Sequence, residues 1–197
     1  MSTRDSALVT FELRTARQSE VGPEGMVSFL QSLPPSPSSF FTRLFFSSRP
    51  LFFTILCSNQ TIRFFLTVHH SQQEYILGQL TALYPEIKIT ESDDPALAFQ
   101  DQAPVVQKEL GVRSPSYFPL HTWRDSTSDP LASLLAVLSH LQEQETVLVQ
   151  WSIERVRDGW KAAGEKLLRS GTETTPYSSA ELQAIKEKLA LPGFAFS

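Results

Sequence analysis

The chain has 197 residues and a mass of 22.1 kDa, with 41% hydrophobic and 19% charged residues, a balance that excludes disorder along its whole length. Its net charge of −4 and pI of about 5.6 argue against a general electrostatic affinity for nucleic acid and leave room only for a local patch. A single cysteine, Cys57, excludes an internal disulfide framework and a cysteine-rich metal site.

Residues 7–14 alternate Val9, Phe11 and Leu13 against Leu8, Thr10 and Glu12, which is the period of a strand. Gly22 and Pro23 then open a helix whose apolar face is Met26, Phe29, Leu30 and Leu33. Pro34, Pro35 and Pro37 stop it. Residues 51–58 and 61–68 read as two strands joined by a hairpin turn at Asn59 and Gln60. On the second of these, Ile62, Phe64, Leu66 and Val68 share one face, and Arg63, Phe65 and Thr67 the other. Ser71 and Glu74 match a capping box ahead of a helix striped by Ile76, Leu77, Leu80, Leu83 and Tyr84. Pro85 ends that helix, and residues 86–91 alternate around Ile87 and Ile89 as a further strand.

The order over residues 1–91 is β-α-β-β-α-β, the ferredoxin-like, split βαβ arrangement. Residues 92–103, with Asp93, Asp94 and Asp101, read as an acidic linker. Residues 104–197 read as a second α+β unit. Strand-like pieces lie in 105–120, broken by Pro115 and Pro119. Asp129 and Pro130 start a helix striped by Leu131, Leu134, Leu135, Leu138 and Leu141. A strand over 146–156 places Val147, Val149, Trp151 and Ile153 on one face. A helix over 158–168, a flexible linker near 171–179 and a last helix over 180–190 follow. Residues 194–197 read as the beginning of another strand, as if the polypeptide stops short of a longer chain. The expected fold is therefore α+β, two tandem ferredoxin-like units of the βαββαβ type, the second incomplete or irregular.

Eight of the 14 phenylalanines lie between Phe40 and Phe65, as four Phe-Phe pairs. A pair on a strand shows one ring to each face of the sheet. Phe52, Phe53, Arg63 and Phe65 are thus candidate contacts on a sheet face, and cover from within the chain is the favoured explanation of their aromatic character. Phe40, Phe41, Arg43, Phe45 and Phe46 form a candidate partner or membrane surface, with membrane contact the less favoured. An RNA-binding sheet needs a glycine-containing aromatic signature on its third strand, and residues 61–68 have Arg63 and Phe65 without the glycine.

His69 and His70 end a strand, and His121 and His140 stand apart in sequence, so no metal-ligand spacing is formed. Cys57 reads as a buried structural thiol. Asp93 with Asp94, and Glu143 with Glu145, sit beside linkers or turns and read as solvated. Neither Gly-x-x-x-x-Gly-Lys-Ser/Thr nor Gly-x-Gly-x-x-Gly occurs. No catalytic, cofactor-binding or metal-binding residue is expected, and no enzymatic activity. The longest nearly apolar run, residues 51–57, is far short of the roughly 20 residues of a spanning helix, and the first residues carry no apolar signal core, so a cytoplasmic chain is expected.

Four stretches carry a resemblance. They are 60–68 with 82–89, Tyr117 to Leu120 with Asp129 to Leu131, Val149 to Ile153 with Asp158 to Lys161, and Glu187 to Phe194. Their order is similar to the N-terminal region of HerA-like and coupling-type motor ATPases of type IV secretion and conjugation in candidate-phylum bacteria. The resemblance spans nearly the whole chain and its motifs are structural. It implies a non-catalytic interaction and assembly module that precedes a nucleotide-binding motor domain. The motor's nucleotide-binding motifs and the apolar N-terminal segment of some relatives are absent here, so ATP hydrolysis is not carried over. A protein partner is implied, either a motor ATPase domain or another copy, with a possible placement near a membrane through partners. Two alternatives stand beside this: a nucleic-acid-binding module that uses an open sheet face, and a small-molecule regulatory ferredoxin-like domain.

Overall fold

The computed structural model describes residues 8–15, 22–34, 49–100, 104–119, 129, 131–156, 158–170, 176–191 and 193–196. Strand β1 (Leu8–Arg14) forms where the first alternation lies. Helix α1 (Pro23–Ser32) has proline in its first turn, and its N-cap Gly22 offers no side-chain cap. Its stability comes from packing, since Phe29 is fully buried and Leu33 just beyond its end is nearly so. The Arg155 guanidinium closes the other end of this helix. Its Nη1 donates to the Gln31 carbonyl at 3.0 Å and to the Leu33 carbonyl at 2.6 Å. A cation there meets both the orphan carbonyls and the negative end of the helix dipole.

Strands β2 (Leu51–Ser58) and β3 (Thr61–His69) form the expected hairpin. Asn59 and Gln60 both take left-handed conformations, φ 49° and 57°, as a type I′ turn requires. A 3-10 turn (His70–Gln72) leads into helix α2 (Gln73–Leu83). The capping box expected at Ser71 does not form. The chain makes the 3-10 turn first, the helix starts later, and the His69 ring caps the turn instead by accepting from the Ser71 amide. Strand β4 (Lys88–Ser92) follows, then a 3-10 turn (Pro95–Phe99) capped by Asp94.

Residues 104–119 contain no strand, contrary to the strand-like reading of 105–120. Pro104, Pro115 and Pro119 lack ladder donors, and among the described residues no sheet neighbour meets this stretch. Helix α3 (Ala132–Ser139) is preceded by Asp129, whose carboxylate accepts from the Leu131 amide at 2.9 Å. Strand β5 (Val147–Val156), a 3-10 turn (Asp158–Trp160), helix α4 (Lys161–Arg169), helix α5 (Ser179–Leu189) and strand β6 (Gly193–Phe196) complete the order. A full capping box starts α5, and the hydrogen bonds from the Ser178 amide and hydroxyl hold the Glu181 carboxyl below the usual carboxylate range.

The class is α+β, with one antiparallel sheet in the order β4-β1-β3-β2-β5-β6. The first four strands are arranged as the β-α-β-β-α-β reading requires. The later strands depart from a tandem second sheet. β5 pairs along β2, from Leu51 opposite Ile153 to Cys57 opposite Val147, and β6 adds outside β5. β2 carries no charge, so its open edge takes β5 without desolvating an ion.

One face of the sheet holds two apolar clusters. Phe11, Leu51, Leu66 and Val68 pack with Phe29 and Leu33 from the α1 region and with Ile76 and Leu80 of α2. Ile55 and Cys57 pack with Leu138 of α3, joined by Ile62, Val147, Val149 and Trp151. Ile89, Leu13, Phe64, Ile55 and Val149 lie in one row across five strands. Phe64 marks the seam between the two clusters and is 42% exposed.

Candidate functional site

Phe40, Phe41, Arg43, Phe45 and Phe46 lie outside the described residues. Phe52, Phe53, Arg63 and Phe65 are all described, and period two divides them between faces. Phe53 points to the helix-covered face and meets the Phe29 ring edge-on, with centroids 6.5 Å apart at 76°. Phe52, Arg63 and Phe65 belong to the other face. Arg63 lies over the Phe65 ring, 5.6 Å from its centroid.

That second face is buried at its centre. Thr10, Thr54, Thr67, Leu56 and Phe65 are each less than a tenth exposed. Its polar groups are matched: the Thr10 and Thr67 hydroxyls are 2.8 Å apart, and the Gln150 amide donates to the Thr54 hydroxyl at 3.1 Å. Pairing buried hydroxyls removes the penalty of burying them alone. On α5, Leu182 and Ile185 are buried too and belong to neither cluster of the first face.

A polar chain runs past the end of β3. Arg49 Nη1 donates to Ser71 Oγ at 2.6 Å, and Ser71 Oγ lies 2.8 Å from His69 Nδ1. The Ser71 amide also donates to Nδ1, at 3.2 Å. Nδ1 is therefore an acceptor, which places the proton of the neutral ring on Nε2. Burial, then the Arg49 charge, then His70 hold the His69 imidazole below the ordinary histidine value of 6.5. Folding thus favours neutral His69. Its contribution is complete above about pH 6.5 and is lost as pH falls from there through the lower folded value. We expect the urea midpoint to drop on going from pH 7 to pH 5, and to drop less in His69→Asn, whose carbonyl still caps the turn. Equal drops in the two proteins would show that His69 is not the titrating group.

Arg49 and Gln72 also line a cavity of about 20 Å³ with Leu33, Ile153 and Arg155, room for one group the size of water. Gln72 Oε1 is buried there without a hydrogen-bond partner among the described residues. The cavity is too small to hold a substrate.

Residues 117 and 118 are tied to the C-terminal helices. A Cβ on Gly164 of α4 would lie 2.8 Å from Tyr117 Cβ and 3.1 Å from both Leu189 methyls, so glycine permits this approach. Lys188 Nζ donates to the Phe118 carbonyl and lies 5.7 Å from the centre of the Trp160 ring. Burial holds the Lys188 amine below its ordinary value. The Phe118 ring meets Tyr177 edge-on at 5.0 Å.

The stretch before this anchor is different. Val106 is 81% exposed, Leu110 85% and Val112 65%. Val105 beside them is 54% exposed as well, and the stretch forms neither helix nor strand. The sequence reads this stretch as strand-like, but among the described residues no strand receives it. Cys57 is fully buried, and its thiol donates to the Leu138 carbonyl at 3.3 Å, which fits the structural reading of that residue.

Among the described residues no group of three or more His, Cys, Asp or Glu side chains could hold a metal ion, and no helix is long and apolar enough to cross a membrane. Comparison with protein-family models, with curated proteins and with solved structures finds no match to this chain.

Proposed function

We propose that the chain is a non-catalytic interaction and assembly module of a type IV secretion or conjugation-type DNA-motor system. The observation that carries the interaction role is the exposure of Val105, Val106, Leu110 and Val112 in a stretch held at its far end by Tyr117 and Phe118. Large aliphatic side chains held in water are a standing cost that a partner's surface would relieve. The motor context comes from the resemblance of the four sequence stretches to the front region of coupling-type ATPases.

The sheet serves this reading as a scaffold. Phe65, the ring that a base-stacking surface on β3 would need, is only 2% exposed, which weakens the nucleic-acid alternative. The source DNA provides the test. The frame beyond the Ser197 codon, or a neighbouring gene, is expected to encode Gly-x-x-x-x-Gly-Lys-Ser/Thr, and this chain is expected to bind that motor protein when both are purified. A genomic surrounding without a motor gene, or a motor that does not bind, would overturn the proposal.

A further inference from the structure

We propose that the cavity between Arg49 and Arg155 is a binding site for one small monoatomic anion, chloride. The site does not depend on the assembly role. Four parts of the fold meet at this cavity: the end of α1 at Leu33, the approach to β2 at Arg49, the start of α2 at Gln72, and β5 at Arg155. Two of the groups they bring there are guanidinium ions. Arginine stays protonated at any working pH, so losing a proton is no route to relieving the repulsion between them. Each is held in place by neutral partners. Arg49 Nη1 donates to the Ser71 hydroxyl, and Arg155 Nη1 to the Gln31 and Leu33 carbonyls. These bonds fix the two ions without supplying a counter-charge.

Two further features select an anion. Gln72 is the N-cap of α2 and Ile76 lies in the turn after it, so the positive end of an 11-residue helix borders the cavity. The Gln72 side chain also reaches it, with Oε1 buried and without a hydrogen-bond partner among the described residues. A half-turn of this carboxamide exchanges the oxygen for the NH2 group, which gives an anion a neutral donor beside the two guanidinium groups. Glu154 borders the cavity as well, but it stands between Ile153 and Arg155 on β5, and period two turns its side chain to the opposite face of the sheet. The remaining walls, Leu33, Pro34, Leu51, Ile76 and Ile153, are apolar, and such surroundings strengthen the attraction between an ion and a guanidinium. Size selects the ion. About 20 Å³ receives a single heavy atom, which admits chloride and excludes phosphate, sulfate and carboxylates. A water molecule also fits by size, but it leaves the two positive charges uncompensated.

An anion held only by the folded chain stabilises it by mass action. Urea unfolding of the full chain is followed over a series of sodium chloride concentrations, with sodium gluconate, an anion too large for the cavity, keeping the ionic strength constant. Each ten-fold rise in chloride beyond half-saturation is expected to lower the unfolding equilibrium constant about ten-fold. In Arg49→Gln the same series is expected to be flat. Bromide then locates the site: crystals grown from sodium bromide are expected to show an anomalous peak between the Arg49 and Arg155 side chains. Equal stability of the unsubstituted chain in chloride and gluconate overturns the proposal, and that comparison needs no variant. A chloride response that Arg49→Gln retains overturns it too. So does a cavity that holds water in the bromide crystals. A bromide peak without a chloride response in solution marks an adventitious ion only and overturns the proposal as well.

Discussion

Replacing Phe29 with alanine is expected to lower the free energy of unfolding by about 3–5 kcal/mol, the usual cost of removing a buried ring together with the cavity it leaves. The side chain is fully buried and shares one core cluster with Leu66 and Val68 of the sheet and Ile76 and Leu80 of α2. It also gives the Phe53 ring its edge-on partner. Helix α1 has no side-chain cap at its start, so this ring supplies much of what fixes the helix to the sheet. Against a total stability of roughly 5–15 kcal/mol the loss is large. Urea denaturation measures it. With a slope of about 2 kcal/mol per molar, the midpoint should fall by roughly 2 M with the slope unchanged. A midpoint within experimental error of the wild type would mean that α1 does not pack as described.

The adjacent rings Phe64 and Phe65 give the second large effect, because one substitution on each separates the two faces. Phe65→Ala should cost about 3–5 kcal/mol, since the ring is buried in the centre of the second face. Phe64→Ala should cost about 1–2 kcal/mol, since its ring is 42% exposed at the seam of the first face and leaves no closed cavity. Measured side by side in urea, the two variants should differ by a wide margin in midpoint. Equal and small losses would mean that the second face is open to solvent. That result would restore the sheet as a surface for stacking bases.

Much of this arrangement is legible in the residues. Val9, Phe11 and Leu13 give β1 its inner face, and the hairpin of β2 and β3 follows from two alternating runs around Asn59 and Gln60. Periodicity is a local property, so it identifies strands without naming their neighbours. Residues 147–156 read as a strand from Val147, Val149 and Trp151, yet nothing local says that β5 belongs beside β2 and not in a sheet of its own. The same limit applies to 105–120, whose strand-like pieces find no strand to pair with among the described residues. At Ser71 the local pattern was outbid by geometry. A capping box needs the helix to begin at once, and here the Ser71 amide donates to the His69 ring instead. Of the candidate surfaces, the aromatic character of Phe52, Phe53 and Phe65 was visible in sequence. Their division between two buried layers depends on which helices cover which face. The exposure of Val106, Leu110 and Val112 depends on the whole tertiary structure and has no local signature.

The place of β5 has a consequence during synthesis. Gln150 of β5 and Thr54 of β2 hydrogen-bond across 96 positions of the chain. At about 5–20 residues per second, a ribosome needs roughly 5–19 s to bridge that interval. For the later part of that time, once Ser92 has been made, β1, β3 and β4 can be in place, while β2, Leu-Phe-Phe-Thr-Ile-Leu-Cys-Ser, waits as an uncharged open edge. An edge of this kind is a template for association with other nascent chains. The yield of folded protein is thus set by a race between translation of residues 93–150 and aggregation at β2. Slower translation over that interval, or depletion of the chaperones that shield nascent chains, should shift the product into the insoluble fraction without any change in the stability of the finished fold.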